Sequence, residues 1–204
     1  NYSIARPALL SKGLKATFFV PFYTIESAKV YWWDHVHYIA RNNFRAFPLW
    51  LRENGRSFNA PELLEQRSKV EPFARGVVRM LNSMPRKQRD IFIRSIEKEF
   101  GPYGGERLLM KWDEIRNLKD EGFEIGSHTV SHIQLTDLSS HDAQREIMES
   151  RALVSKKIDG YVRGFCYPRG QFRHEHKVMA QKAGYSYAVT TRFGSNGPDA
   201  DPFA

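Results

Sequence analysis

Between residues 112 and 191 the sequence alternates helix-type and strand-type segments. Strand-type runs occupy 123–127, 162–167 and 187–191, and helical patterns fill 112–122, 140–158 and about 175–183. The long middle helix places Ala143, Ile147 and Val154 on one face, the spacing of a helix laid on a sheet. With a further strand at 16–20, this order predicts an α/β fold built on parallel strands.

The stretch between Pro21 and Met110 does not follow this alternation of helices and strands. Its patterns are helical, over about 25–41, 61–81 with an interruption at Pro72, and 85–100, with Pro61 and Pro85 at first-turn positions. The stretch from Pro21 to Met110 is far longer than a connection between two strands requires. We therefore predict one domain over 1–204 that carries a helical insertion at about 21–110.

The two ends of the chain look incomplete. The sequence enters at a helix that Gly13 ends before the first strand, whereas repeating strand–helix folds normally begin with a strand. We therefore expect an upstream strand to be missing, and the lack of a leader sequence says nothing about location. Cytoplasmic and cell-envelope locations both stay open.

The composition limits which partners the protein can have, whether it can span a membrane and which side chains can hold a metal ion. The chain has 31 Lys and Arg against 23 Asp and Glu, a formal charge of +8, which fits an anionic partner or simply a solvated surface. No apolar run reaches the roughly 20 residues of a membrane-spanning helix. One cysteine excludes an internal disulfide and a Cys-rich zinc module, so any metal must be held by His and carboxylates.

The strongest candidate site is the segment 127–132, Ser-His-Thr-Val-Ser-His, directly after a predicted strand. Its histidines, His128 and His132, stand four residues apart, and on a helical turn both imidazoles reach one metal ion. Parallel α/β folds place their sites at the carboxyl ends of strands. Thr129 stands where the H-E-x-x-H motif of zinc proteases needs its glutamate, so the sequence does not favour a protease of that type.

A second candidate, Tyr167-Pro168-Arg169-Gly170, follows the next strand. A proline closely followed by a glycine predicts a tight turn that exposes a backbone N–H, suited to an oxyanion hole. Both candidates fall on the same predicted edge of the sheet. We assign Arg169 a catalytic role, and Tyr167 and Pro168 a substrate-binding one.

The remaining chemistry-bearing residues favour structural roles. The pairs His35/His37 and His174/His176 are two residues apart and diverge on a helix. His141 lies beside a predicted helix cap, and Cys166 is interpreted as a buried small residue inside a strand. The aromatic run 31–33, which includes Trp32, is interpreted as core in preference to a sugar-stacking platform.

Taken together, these segments resemble the polysaccharide deacetylases, carbohydrate esterase family four, which share a domain with the nodulation chitooligosaccharide deacetylase. The resemblance covers about 1–20 and 110–204 and leaves the helical insertion outside. It implies a distorted (β/α) barrel. It also implies a metal-dependent hydrolase, with zinc the expected divalent ion, that removes acetyl groups from N-acetylated or O-acetylated sugars of a polysaccharide or oligosaccharide.

Carried over by residue, the resemblance makes His128 and His132 the metal ligands and gives the Arg169 N–H to the oxyanion hole. The family's third ligand and general base belong to a Thr-Phe-Asp-Asp-Gly motif that this sequence lacks. Cys166 stands where many members have an arginine that orients the base. The late Leu-x-Leu-x-His-like motif is also absent after Thr191, so both ends are expected to be truncated.

Two other functions stay open at this point. A catalytically inactive member would use the same cleft only to bind glycan. A basic nucleic-acid-binding protein would explain the charge, but the two signs are interspersed over the middle of the chain and form no one-signed stripe.

Overall fold

The computed structural model describes residues 1–55, 67–194 and 196–204. The chain forms two compact units. Residues 1–29 and 109–204 form the α/β unit, and residues 30–108 form the helical unit.

The α/β unit contains a sheet of four strands: β1 (Thr17–Val20), β2 (Glu124–Ser127), β3 (Gly164–Cys166) and β4 (Tyr187–Val189). All neighbouring pairs are parallel, in the order β1-β2-β3-β4. The helices of this unit are α1 (Ala5–Ser11), α2 (Phe22–Glu26), α7 (Trp112–Asp120), α8 (Ser140–Ile158) and α9 (His174–Lys182). The predicted α/β architecture with a parallel sheet is confirmed, whereas closure of these strands into a barrel stays a prediction.

In helix α8 the local sequence determines both ends of the helix and the face that is buried. Ser139 is its N-cap, and its side chain accepts a hydrogen bond from the Asp142 N–H at 3.2 Å. Asp159 ends the helix in the left-handed conformation. The predicted apolar face is buried against a core that includes Phe165 and Ile125. Helix α8 therefore lies against the sheet with one end next to the loop that follows β2.

The helical unit contains α3 (Trp32–Asn42), α4 (Ala46–Glu53), α5 (Val70–Ser83) and α6 (Arg86–Phe100). Its separate core is apolar and aromatic, and Phe47 at its centre contacts Phe73 and Phe100 at ring-centroid distances of 5.9 and 5.2 Å. Val36 and Ile39 are buried in this core and Trp32 packs against it, as the aromatic run predicted.

Three of the helix predictions for residues 21–110 differ from the structure. The helix expected over 25–41 is interrupted between α2 and α3, where Ala28 adopts a positive φ of 52°. Helix α4 was not predicted. Pro72 does not interrupt a helix, because it lies in the first turn of α5, where a missing N–H is harmless. Residues 61–66 of the helix predicted over 61–81 lie outside the described residues.

Candidate metal and acyl-transfer site

His128 lies at the carboxyl end of β2, where the sheet fixes both its backbone and its ring. Its N–H donates to the carbonyl of Val20 at the end of β1, at 3.0 Å. Its ring Nδ1 lies 2.7 Å from the carbonyl oxygen of Cys166 at the end of β3. Because a carbonyl can only accept, Nδ1 carries the proton and Nε2 keeps a lone pair. This is the orientation that a metal-binding histidine needs.

The rings of His128 and His132 lie in edge-to-face contact, with centroids 4.6 Å apart and planes inclined at 74°. The expected juxtaposition is present, but the local geometry behind it was predicted wrongly. Residues 128–134 form no helical turn, and both Thr129 and His132 are left-handed, with φ of 64° and 58°. The fully buried Thr129 hydroxyl donates to the His128 carbonyl at 2.6 Å and accepts from the His132 N–H at 3.0 Å. Thus a strained loop brings the two rings together.

Glu146, on α8, holds this loop in place and was missed by the sequence analysis. Its carboxylate accepts the N–H groups of Val130 and Ser131 at 2.8 and 2.9 Å, and the Ser131 hydroxyl at 2.5 Å. A usable sequence signal existed, because position 146 follows Ala143 by three residues and so lies near the sheet-facing side of α8. Hydrogen bonds to a charged acceptor are the stronger kind in proteins.

Burial keeps both imidazoles neutral near pH 7. It lowers the pKa of His128, although the bond to the Cys166 carbonyl opposes the shift. It lowers the pKa of His132 to about 4, with smaller contributions from His128 and from the positive charge of Arg169. Neutral imidazole is the form that binds a metal ion.

The segment 168–170 forms the predicted tight turn directly after β3. Arg169 is left-handed, with φ 58° and ψ 13°. A Cβ atom on Gly170 would lie 2.3 Å from the Thr191 hydroxyl and 2.5 Å from its backbone nitrogen, so only glycine fits. The side chain of Tyr167 is fully buried, donates to the Phe203 carbonyl at 3.1 Å and stacks on Phe172. Tyr167 and Pro168, which the sequence analysis predicts to bind substrate, are both buried beneath the turn in this structure.

The donor set fits a metal ion only in part. The two neutral imidazoles, one oriented by a backbone carbonyl, are typical of a metal site. Catalytic zinc takes three protein ligands, and within the described residues no group of three His, Cys, Asp or Glu side chains is placed to hold an ion. The described residues therefore provide two imidazoles, fewer than the three protein ligands of a catalytic zinc site.

Other candidate residues lie away from this pair. In the helical unit, the ring of His35 is buried against the Gly101 carbonyl, and that of His37 contacts Glu71 at 3.0 Å. His176 is buried and accepts the Arg173 N–H, which caps α9, while His141 is exposed beside Asp142. These contacts agree with the structural roles expected for them.

Cys166 offers its carbonyl to the site, while its thiol is not poised as a nucleophile. The residue is only partly buried, yet burial raises the pKa of the thiol to about 11. A thiol in this state stays protonated at neutral pH and is a weak nucleophile. The interpretation of Cys166 as a small packed residue is consistent with that state.

The fold and the site together define an α/β protein with a histidine pair and a tight turn at the carboxyl edge of a parallel sheet. The sequence profile of the polysaccharide deacetylases matches residues 91–188. This match covers just under half of the chain and includes the histidine pair and the tight turn.

Individual relatives match only in part. YxkH of Bacillus subtilis, assigned to the polysaccharide deacetylases, is 28% identical over 100 residues, which cover 49% of this chain and 36% of YxkH. The Streptococcus pyogenes deacetylase PplD, solved in complex with acetate, is 23% identical at a TM-score of 0.42, covering 44% of this chain and 40% of PplD. The chain therefore spans well under half the length of either protein.

Two further solved structures also match part of the chain. A polysaccharide deacetylase from Bacillus cereus is 26% identical at a TM-score of 0.39, covering 42% of this chain and 26% of its own. A family four pseudoenzyme from Bacillus anthracis is 22% identical at a TM-score of 0.36, covering 38% of this chain and 28% of its own.

No described helix is both long and apolar enough to cross a membrane.

Proposed function

We propose that the protein is a metal-dependent hydrolase that removes acetyl groups from N-acetylated or O-acetylated sugars of a polysaccharide. The observation that carries this proposal is the close pair His128 and His132 after β2, at the same edge of the sheet as the turn at Arg169 after β3. We propose further that the four parallel strands form part of a distorted (β/α) barrel. Their sequential parallel order and helical crossovers support that arrangement.

His128 and His132 are the residues that would hold the ion, and zinc suits such imidazole ligands. When bound, the ion supplies an acidified water and polarises the acetyl carbonyl. Nδ1 of His128 keeps its proton on the Cys166 carbonyl, which holds Nε2 ready as a ligand. The Arg169 N–H, presented by the left-handed turn, is proposed to donate to the oxygen that gains charge in the transition state. A third ligand and the general base come from outside the described residues.

The test is zinc binding and acetate release by the chain with His128→Ala and His132→Ala combined. Titration of wild type should show one zinc ion, held weakly because only two ligands are present. The double variant should bind zinc at least about 100-fold more weakly, because an alanine side chain cannot ligate a metal ion. His141→Ala with His174→Ala, which removes two exposed histidines, is the matched control and should bind zinc as wild type does.

Release of acetate from acetylated chitooligosaccharides, followed in the same preparations, completes the test. Slow, zinc-dependent release that the double variant lacks supports the proposal. Retention of the wild-type zinc affinity in the double variant would refute the ligand assignment.

A second candidate is a non-catalytic glycan-binding protein of the same fold. It is favoured by the lack, within the described part of the chain, of a third metal-ligating side chain beside the histidine pair. Binding of acetylated oligosaccharides without any zinc-dependent acetate release distinguishes this candidate from the hydrolase.

A further inference from the structure

Three hydroxyl groups are buried close to the start of the histidine loop. Ser127 is the last residue of β2 and immediately precedes His128, Ser150 lies on α8, and Tyr185 lies just before β4. All three are buried in the core of the α/β unit, where the Tyr185 ring lies 5.1 Å from that of Phe165. Burying a hydroxyl costs free energy unless it is hydrogen-bonded, so apolar side chains would fill this space at lower cost.

Tyr185 and Ser150 are bonded to the turn of α8 that carries Glu146. The Tyr185 hydroxyl donates to the carbonyl of Ile147 at 3.1 Å, and the Ser150 hydroxyl donates to the same carbonyl at 3.0 Å. The two hydroxyl oxygens are 3.1 Å apart. Ile147 directly follows Glu146, whose carboxylate accepts three hydrogen bonds from the histidine loop. Tyr185 therefore ties the segment before β4 to the helical turn that holds this loop.

Ser127 extends the same cluster to the strand from which the loop leaves. Its hydroxyl is fully buried and, within the described part of the chain, is not in hydrogen-bond geometry with a partner. It lies near the Tyr185 hydroxyl, because burial raises the pKa of Tyr185 to about 12 while the Ser127 and Ser150 hydroxyls oppose that shift. A phenol oxygen donates one proton and also accepts, so Tyr185 can accept from Ser127 while it donates to α8. The cluster thus reaches from the residue before His128 to the residue after Glu146.

The cluster sets the separation between the end of β2 and helix α8. Glu146 holds the histidine loop from α8, whereas the loop leaves the sheet at His128. A change in that separation would move the carboxylate relative to the loop N–H groups, and hydrogen bonds weaken steeply with distance and angle. Buried, well-paired hydroxyl networks stiffen a core and specify one packing arrangement.

We infer that Tyr185 is a positioning residue for the histidine pair, acting through Ser127 on one side and through the α8 turn at Ile147 on the other. The hydroxyl carries this role, because the ring alone would fill the same space in the core. The inference rests on the proposed function in taking His128 and His132 as the metal ligands.

The experiment compares Tyr185→Phe with wild type by two measurements: the ring ¹H–¹⁵N signals of the histidines in the presence of a chelator, and zinc titration. We expect the variant to stay folded by circular dichroism, while the signals of His128 and His132 shift and broaden. The signals of the exposed His141 and His174 should not move. Zinc should bind about threefold more weakly, a smaller loss than the roughly tenfold or more that follows removal of a ligand's direct partner.

The matched control is Tyr161→Phe. Tyr161 also donates its hydroxyl to a backbone carbonyl, that of Gly184 at 3.3 Å, and the rings of both tyrosines contact Arg151, but Tyr161 is exposed. We expect wild-type histidine signals and wild-type zinc affinity from this control. A hydroxyl that only stabilises the fold would lower stability in Tyr185→Phe without moving the signals of the histidine pair.

Ser127→Ala provides a second route to the same test, because it removes the other hydroxyl of the link, and it replaces Tyr185→Phe if that variant does not fold. In a double-mutant cycle, the effects of the two substitutions on zinc affinity should be less than additive, since each breaks the same connection.

The outcomes separate this inference from the proposed function. Shifted signals of His128 and His132 that the control lacks support the positioning role. Unchanged signals together with an unchanged zinc affinity overturn it and leave the deacetylase proposal standing. Shifted signals in a protein whose wild type binds no zinc support the positioning role and overturn the metal-ligand assignment.

Discussion

Each of the two units contains closely spaced histidines, and a comparison of His35/His37 with His128/His132 shows what brings two rings together. In the helical unit, His35 and His37 point to different partners, the Gly101 carbonyl and Glu71, and both serve local packing. In the α/β unit, the rings of His128 and His132 lie in edge-to-face contact at 4.6 Å. The difference teaches that sequence spacing alone does not make a site; the loop geometry at a strand end does.

Backbone conformation marks the same contrast. Among the described residues, five other than glycine have positive φ, and three of them, Thr129, His132 and Arg169, lie in the histidine loop or in the tight turn after β3. Such conformations cost free energy and persist where the surrounding structure enforces them, which is often at functional sites. The helical unit devotes its buried positions to an apolar core. Strain and polar contacts are concentrated in the α/β unit, and three further predictions test that contrast.

The largest effect is expected for Gly170→Ala compared with Gly55→Ala. Both glycines have positive φ, 67° and 73°, but only a Cβ on Gly170 would collide with backbone, that of Thr191. We expect Gly170→Ala to lower the free energy of unfolding by about 4 kcal/mol, and Gly55→Ala in the helical unit by about 1 kcal/mol. Urea unfolding of both variants measures the difference. Equal losses would show that the Arg169 turn is no more constrained than a helix end.

A pH effect of roughly 3 kcal/mol is expected from His132. Its pKa is about 4 in the folded protein and 6.5 when unfolded, so the unfolded chain binds more protons between these values. Stability is therefore fully present above pH 6.5 and is lost as the pH falls towards 4.

The measurement is urea unfolding at several pH values in the presence of a chelator. His132→Asn should lose clearly less stability than wild type over this interval, because the buried group no longer titrates. His141→Asn, which removes an exposed histidine, is the control and should follow wild type. A wild-type pH profile in His132→Asn would contradict the burial of this ring as the cause.

The smallest effect is expected for Glu146→Gln compared with Glu71→Gln. Glu146 accepts three hydrogen bonds from the histidine loop, so the amide should lower stability by about 2 kcal/mol and weaken zinc binding about tenfold or more. Glu71 pairs with Arg41 and His37 at the surface, where an ion pair contributes less than about 1 kcal/mol.

Thermal unfolding and zinc titration of both variants check this prediction. Unchanged zinc affinity in Glu146→Gln would show that the loop keeps its shape without the carboxylate, which would remove the positioning role assigned to Glu146.

The sequence predicted secondary structure best where its hydrophobic residues repeat with the period of a strand or of a helix. The strands, the helices α7, α8 and α9, and the buried stripe of α8 followed from alternation and from 3.6-residue spacing, because both are local properties. Boundaries in the helical stretch were less accurate. The break at Ala28 and the short helix α4 depend on packing within each unit, which local propensity does not record.

The sequence by itself determined which residue types stand at the two strand ends: two histidines four apart, and a proline, arginine and glycine after the next strand. Only the tertiary structure decided how they meet. The left-handed Thr129 and His132, the Glu146 carboxylate and the Cys166 carbonyl orient the histidine loop through contacts between segments far apart in the chain. Parallel strands bring their carboxyl ends to one edge, and no local pattern encodes which distant groups complete such an edge.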